Sequence, residues 1–202
     1  TFLNNNVVSV NNGVGFIAAG SFGVGQDPPS RMEAGKPIGY FYGLQTDGIF
    51  QNQAEVDAHA TQQDAAPGDL RFVDINGDGE IDSDDRTDLG NPIPNATMGL
   101  NFSSKYKDFD FTAYAFASIG NDIVRNYERN QPLVNKSAYT LNRWTGEGSS
   151  NSFPRVTTGA TQNTLFSDFY VEDGSFVRLQ NLQLGYTLPA DVIEKVGIDK
   201  LR

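Results

Sequence analysis

The sequence predicts an all-β protein whose antiparallel strands form part of a large outer-membrane β-barrel with long extracellular loops and short helices. In three segments, apolar and polar side chains alternate at period two over about ten residues, a length that crosses a bilayer when the strand is tilted. One connection between these segments is a four-residue turn, whereas the other spans 57 residues, 119–175. Short turns at one end of the strands and long loops at the other are typical of bacterial outer-membrane barrels.

Composition and charge restrict the class of protein further. The 202 residues include 25 acidic and 15 basic side chains, and the net charge of −10 argues against nucleic acid or an anionic membrane surface as a partner. The 21 glycines, 8 tyrosines and 14 phenylalanines favour strands and loops over long helices. There is no cysteine, no recognisable signal peptide and no apolar run near the length of a transmembrane helix. Because both ends break off abruptly, we interpret the sequence as a fragment.

The first part of the chain contains weaker signals. Residues 2–22 predict a pair of strands joined by a turn at Asn12-Gly13. Residues 23–96 are predicted as an extracellular loop region that holds one short helix, with Asn52 as its N-cap and Glu55 at the third helical position. His59, the only histidine, has no evident partner in the sequence, so we expect it at the surface rather than in a catalytic or metal site.

Residues 74–85 have the spacing of an EF-hand-type calcium loop, with oxygen-bearing side chains at loop positions 1, 3, 5, 9 and 12 and glycine at position 6. The predicted ligands are Asp74, Asn76, Asp78, the backbone carbonyl of Glu80, Asp82 (directly or through water) and Asp85. The alternative is an acidic turn that matches the pattern by chance. Position 12 prefers the longer glutamate, so a modest affinity is expected. Since no helix pattern flanks this single loop, we predict a structural Ca²⁺ rather than a sensor.

Four aromatic residues are candidate ligand-binding groups. Tyr40, Phe41 and Tyr42 form a dense patch, and Trp144 lies in the second long connection. An outward-facing set of rings could stack on sugars. The alternative, a local core beneath the loops, explains the 40–42 patch better.

A hairpin is predicted over residues 97–118. Even-numbered residues from Met98 to Tyr106 share one face of its first strand, and the odd-numbered residues from Phe109 to Ala117 share one face of its second. The four-residue turn at 105–108 joins them. If this turn is periplasmic, both long connections and the calcium-type loop lie outside the cell.

The final segment, 176–202, predicts a strand, a short helix and the start of another strand. The apolar residues of the strand change parity between Leu179 and Leu182, which predicts a bulge near Gln180-Asn181. Pro189 and Gly197 bracket the predicted helix.

The chain carries eight motifs in one order: Gly35–Gly43, Thr46–Phe50, Pro67–Phe72, Asp74–Arg86, Gly90–Pro94, Gly120–Ile123, Val171–Leu179 and Leu184–Pro189. Together they closely resemble the SusC/RagA family of TonB-linked outer-membrane proteins. The resemblance runs nearly end to end and corresponds to the C-terminal part of such a protein.

This resemblance implies active import through a plugged barrel of about 22 strands in the bacterial outer membrane. Family members pair with a SusD-like surface lipoprotein, import oligosaccharides or, in some members, peptides, and draw energy from TonB. Here it implies wall strands, extracellular loops and a structural calcium loop, without catalysis. The competing hypothesis is a secreted, calcium-stabilised β-rich carbohydrate-binding module. A hydrolase with Asp82 and Asp85 as paired carboxylates has less support, because carboxylates bound to a cation are poor acid–base catalysts.

Overall fold

The computed structural model describes residues 1–10, 14–23, 26–126 and 137–189. These residues form eleven strands: β1 (Phe16–Ala19), β2 (Ser30–Glu33), β3 (Tyr40–Leu44), β4 (Thr46–Ile49), β5 (Leu70–Phe72), β6 (Arg86–Gly90), β7 (Ala96–Tyr106), β8 (Phe109–Ile119), β9 (Asp122–Val124), β10 (Val171–Asp173) and β11 (Phe176–Tyr186). The helices are α1 (Gln53–Asp57) and three short 3-10 helices, Ser83–Asp85, Ala138–Asn142 and Asp168–Tyr170. The predicted all-β class is confirmed, and the strands of the described residues form open sheets.

The chain divides into two compact units. The first contains residues 1–4, 94–121 and the described part of 174–202, and the second contains the described parts of 5–93 and 122–173. Among the described residues, no helix combines the length and the apolar character needed to cross a bilayer.

The first unit is a three-stranded antiparallel sheet in the order β11-β8-β7. Each strand is eleven residues long, and β7 and β8 pair from Ala96 opposite Ile119 to Tyr106 opposite Phe109. The structure therefore contains the predicted hairpin, but its turn has two residues, Lys107 and Asp108, instead of four. Lys107 takes the left-handed conformation, with φ of 52°, that such a tight reversal requires.

One face of this sheet is almost wholly apolar, because paired residues in an antiparallel sheet lie on the same side. The register gathers on it Met98, Leu100, Phe102, Ser104, Tyr106, Phe109, Phe111, Ala113, Ala115, Ala117, Val177, Leu179, Leu182, Leu184 and Tyr186. Leu100 is 68% exposed and Leu184 is 72% exposed. The opposite face carries Asn101, Ser103 and Gln183 among its polar residues. This sheet is amphipathic along its full length.

A bulge keeps β11 in phase with this face. The register with β8 shifts between Leu179 and Asn181, so that Leu179 pairs with Ala115 while Leu182 pairs with Ala113. Without the extra residue, one of the two leucines would point to the polar side. The bulge predicted from the parity change is confirmed.

The second unit contains a four-stranded sheet, β1-β2-β3-β6, and two small sheets, β4-β5 and β9-β10. Its described residues form two hydrophobic clusters. One is formed by Leu44, Ile49, Leu70, Phe72 and Ile81, and the other by Phe22, Phe41, Phe166 and Tyr170. Both predicted loop regions, 23–96 and 119–175, contribute to these clusters: Phe41 and Phe166 belong to the second, and Trp144 and Leu165 pack against the first.

The structure tests only some of the predictions for the two ends of the chain. The predicted strand pair over 2–22 is wrong, because β1 pairs with β2 and Phe2 forms only an isolated bridge with Ala96. The Asn12-Gly13 turn, the helix after Pro189 and the start of the next strand lie outside the described residues.

Candidate functional site

The predicted helix cap is confirmed, whereas His59 is not a free surface side chain. The Asn52 side chain accepts a hydrogen bond from the Glu55 N–H, at 3.1 Å, and opens α1. His59 is half-buried, its Nε2 lies 2.8 Å from the Phe72 carbonyl oxygen, and its ring packs edge-on against Phe50. It holds the segment that follows α1 against β5.

The aromatic candidates do not form an outward-facing surface. Tyr40 is 1% exposed and Phe41 is also buried. Burial raises the pKa of the Tyr40 phenol, as does its hydrogen bond to Glu33. The Arg31 guanidinium covers the Tyr42 ring at 3.4 Å, and the Trp144 indole donates to Gln51. Tyr42 and Trp144 are half-buried, and a role of these rings in ligand binding stays a prediction.

The front half of the calcium-type loop is folded by its own polar side chains. Asp74 accepts hydrogen bonds from the backbone N–H groups of Gly77 and Gly79, at 2.7 and 2.9 Å. Asn76 accepts from Asp78, and Asp78 accepts from Glu80, both at 2.9 Å. Each of these oxygens has a second lone pair, so the turn conformation leaves acceptor capacity.

The middle of the loop is anchored in the core of the second unit. Ile81, at loop position 8, is buried in the hydrophobic cluster with Leu70 and Phe72. The Thr61 backbone pairs with both sides of Glu80, donating to Gly79 O and accepting from Ile81 N. The position of the loop is thus fixed by the core.

Asp85, at position 12, differs from the other predicted ligands because it is completely buried. Burial alone would raise the pKa of its carboxyl. Backbone N–H groups of Asp82, Ile75 and Asn76 donate to the carboxylate and hold the pKa below its ordinary value. Asp82 in turn accepts from the Asp84 N–H and caps the short helix that ends the loop.

The donor set fits a hard cation in its chemistry, because it consists of carboxylate, amide and carbonyl oxygens. Within the ranges that the structure describes, no three His, Cys, Asp or Glu side chains lie together as a group that could hold a metal ion. Two of the predicted ligands, the Asn76 side chain and the Glu80 backbone carbonyl, do not belong to these residue types. Calcium binding therefore stays a prediction.

A polar cluster around Asp69 in the second unit was not identified as a site from the sequence. Asp69 is 1% exposed and lies in the Pro67–Phe72 motif. Its carboxylate accepts from Arg155 Nε and Arg155 NH2 at 2.7 and 2.9 Å, from Thr161 Oγ1 at 3.1 Å, from Asn163 Nδ2 at 2.8 Å and from Ala66 N at 3.0 Å. The hydrogen bond with Asp69 raises the pKa of Arg155. One buried carboxylate thus joins the two segments that the sequence predicted as separate loops.

Gly68 allows this cluster to form. It has φ of +91°, and a Cβ there would lie 2.4 Å from the Trp144 ring and 2.9 Å from Arg155 Cβ. Gly68 N donates to Phe50 O and its carbonyl accepts from Arg155 N. Only glycine combines this backbone conformation with such close approach.

The chain is similar to several known proteins, three of which are described below. TonB-dependent receptor P3 of Formosa agariphila is 36% identical over 175 residues, which is 85% of this chain and 17% of the receptor. TonB-dependent receptor P26 of the same organism is 32% identical over 177 residues, 86% of this chain and 18% of the receptor. TonB-dependent receptor SusC of Bacteroides thetaiotaomicron is 30% identical over 140 residues, 69% of this chain and 14% of SusC. The chain therefore spans less than a fifth of the length of these relatives. No protein-family model matches the chain.

Proposed function

Because this chain belongs to the SusC-like TonB-dependent receptors, we propose that it forms part of the wall and outer structure of a transporter in the bacterial outer membrane. TonB-dependent receptors are transporters rather than enzymes. The proposed cargo is an oligosaccharide, with peptide as the alternative. The proposed partners are TonB and a SusD-like surface lipoprotein.

The observation that carries this proposal is the amphipathic sheet of β7, β8 and β11. Eleven residues of tilted strand match the hydrocarbon thickness of a bilayer. The exposed apolar face suits contact with lipid, and the polar face suits a barrel interior. At one end of the apolar face, Tyr106 is exposed and Phe109 packs on Tyr186, with ring centroids 4.6 Å apart. Aromatic rings at this level are typical of the membrane–water boundary.

Transport is tested by uptake in the organism that encodes the protein. Cells in which the gene is deleted are expected to lose uptake of fluorescent oligosaccharides, and wild-type cells are expected to lose it when a protonophore removes the energy supply. A matched set of fluorescent oligopeptides serves as the second cargo. Loss of peptide uptake alone would assign the alternative cargo, whereas unchanged uptake of both, or recovery of the protein from the medium, would contradict the proposal.

We also propose that residues 74–85 bind Ca²⁺ as a structural ion. Asp74, Asn76, Asp78, Asp82 and the Glu80 carbonyl would supply the oxygens, with Asp85 as the remaining candidate. The ion would neutralise the repulsion between these carboxylates and stiffen the loop. Anchoring of Ile81 in the core supports this function, because it holds the loop in a fixed place without flanking helices.

Calcium removal is expected to accelerate cleavage of segment 64–92 of the natural full-length protein by a protease that cuts after Asp and Glu. The reason is that the front half of the loop is exposed and becomes more mobile when its carboxylates repel one another. The Asp74→Ala variant is expected to be cleaved at the same rate with and without calcium. The cleavage rate, followed by mass spectrometry of the fragments, is the measurement. Equal rates for the wild-type protein in calcium and in chelator would contradict a structural ion.

A further inference from the structure

Asp85 connects the two ends of the calcium-type loop through hydrogen bonds inside the protein. Its Oδ1 accepts from Ile75 N at 2.8 Å and Asn76 N at 3.4 Å, and its Oδ2 accepts from Asp82 N at 3.0 Å. Ile75 and Asn76 are at loop positions 2 and 3, whereas Asp82 is at position 9. A single side chain therefore spans the loop.

The other predicted ligands do not span the loop in this way. Asp74, Asn76 and Asp78 accept from backbone groups between positions 4 and 7, and Asp78 also accepts from the Asn76 side chain at position 3. Asp82 accepts from Asp84, two residues further on. These bonds shape each half of the loop, but within the described contacts it is the Asp85 carboxylate that ties the front half to the rear half.

Bidentate coordination at position 12 conflicts with this arrangement. A carboxylate has about four lone-pair directions on its two oxygens, and backbone N–H groups take three of them. A bidentate ligand directs both oxygens at the cation. Asp85 would have to release charge-assisted hydrogen bonds from part-buried N–H groups, which is unfavourable.

We propose that Asp85 is a positioning residue that closes the loop without a cation, and that any bound Ca²⁺ is held by the other five predicted ligands. The calcium part of this inference rests on the proposed function, whereas the closure does not. Two consequences follow. The loop keeps its closed form in chelator, and calcium stiffens an already closed loop.

The test uses the natural full-length protein in chelator, with Asp85→Asn and Asp84→Asn as matched variants. Each removes one negative charge from the same turn, but Asp84 is exposed and is not a predicted ligand. Asp85→Asn replaces one acceptor oxygen by an N–H₂ donor facing backbone N–H groups. Cleavage within 74–85 is expected to accelerate about tenfold or more, the equivalent of one or more lost hydrogen bonds. Asp84→Asn is expected to be cleaved at the wild-type rate, and cleavage outside 74–85 reports whether either variant remains folded.

A ligand role for Asp85 predicts the opposite result in chelator. Removing a carboxylate from an empty acidic site relieves repulsion, so Asp85→Asn would be cleaved at the wild-type rate or more slowly. That result, or a calcium affinity that rises in Asp85→Glu, would overturn the inference. Under the proposal, Asp85→Glu does not increase calcium affinity, because the side chain at position 12 is not a ligand of the ion.

Calcium titration separates this inference from the proposed structural ion. If calcium does not bind to the wild-type protein, the proposed ion is wrong, but the cleavage rates in chelator still decide whether Asp85 closes the loop. If calcium binds and Asp78→Asn weakens calcium binding, the proposed ion is supported. If Asp85→Asn then leaves the cleavage rate in chelator unchanged, closure of the loop by Asp85 is rejected.

Discussion

Replacing Asp69 by asparagine is expected to destabilise the second unit locally by about 3–5 kcal/mol. The buried carboxylate accepts from five donors, and an amide replaces one of its oxygens by an N–H₂ group that faces them. Arg155 would lose its bidentate partner and retain a charge in a half-buried place. Removing one partner of a buried ion pair lowers the folding stability far more than removing one partner of an exposed ion pair.

Hydrogen exchange of the natural full-length protein measures this effect in peptides that cover β5 and residues 155–163. Asp47→Asn is the control, since Asp47 pairs with Arg71 of the same β5 strand but its side chain is 71% exposed. That variant is expected to change local stability by less than about 1 kcal/mol. If Asp69→Asn changes the exchange of these peptides no more than Asp47→Asn does, the central role of Asp69 is refuted.

Leu100→Arg is expected to reduce the folding free energy of the protein in lipid by about 2–4 kcal/mol, the cost of arginine on a lipid-facing site near the bilayer midplane. Leu100 is the fifth of the eleven residues in β7, and its side chain is on the exposed apolar face. Asn101→Arg, one residue further along on the polar face, is the matched control. It introduces the same side chain at the same depth.

The measurement is folding of the full-length protein into lipid vesicles at increasing urea concentrations. A midpoint that falls for Leu100→Arg but not for Asn101→Arg supports lipid contact at the apolar face. Equal shifts for both variants would mean that the two faces have the same environment, which would contradict the proposed place of this sheet in the membrane.

The strands of the first unit could be predicted because each is long enough to show its alternation. Eleven residues with apolar side chains at every second position give a clear period, and the parity change between Leu179 and Leu182 was sufficient to predict the bulge. The turn was predicted too long because the sequence does not show that Lys107 takes a left-handed conformation. A lysine rarely does so, and no residue pattern indicates it.

The second unit could not be predicted in the same way. Its strands have three to five residues, which is too short to show a period. The buried carboxylate of its polar cluster joins residues 86 positions apart, Asp69 and Arg155. The spacing of the oxygen-bearing side chains in residues 74–85 could be recognised, because the whole pattern lies within twelve consecutive positions. It did not show that Asp85 is buried, because burial depends on how the loop meets the core.

The shared carboxylate of Asp69 also limits how this family can be recombined. The segments that contain Asp69 and Arg155 are separated in the chain by β7 and β8, yet each completes the hydrogen bonding of the other. A chimera that takes one segment from a relative and keeps the other must match both halves of this cluster or leave a buried charge without a partner. The two segments therefore behave as one exchangeable part, to be grafted together or not at all.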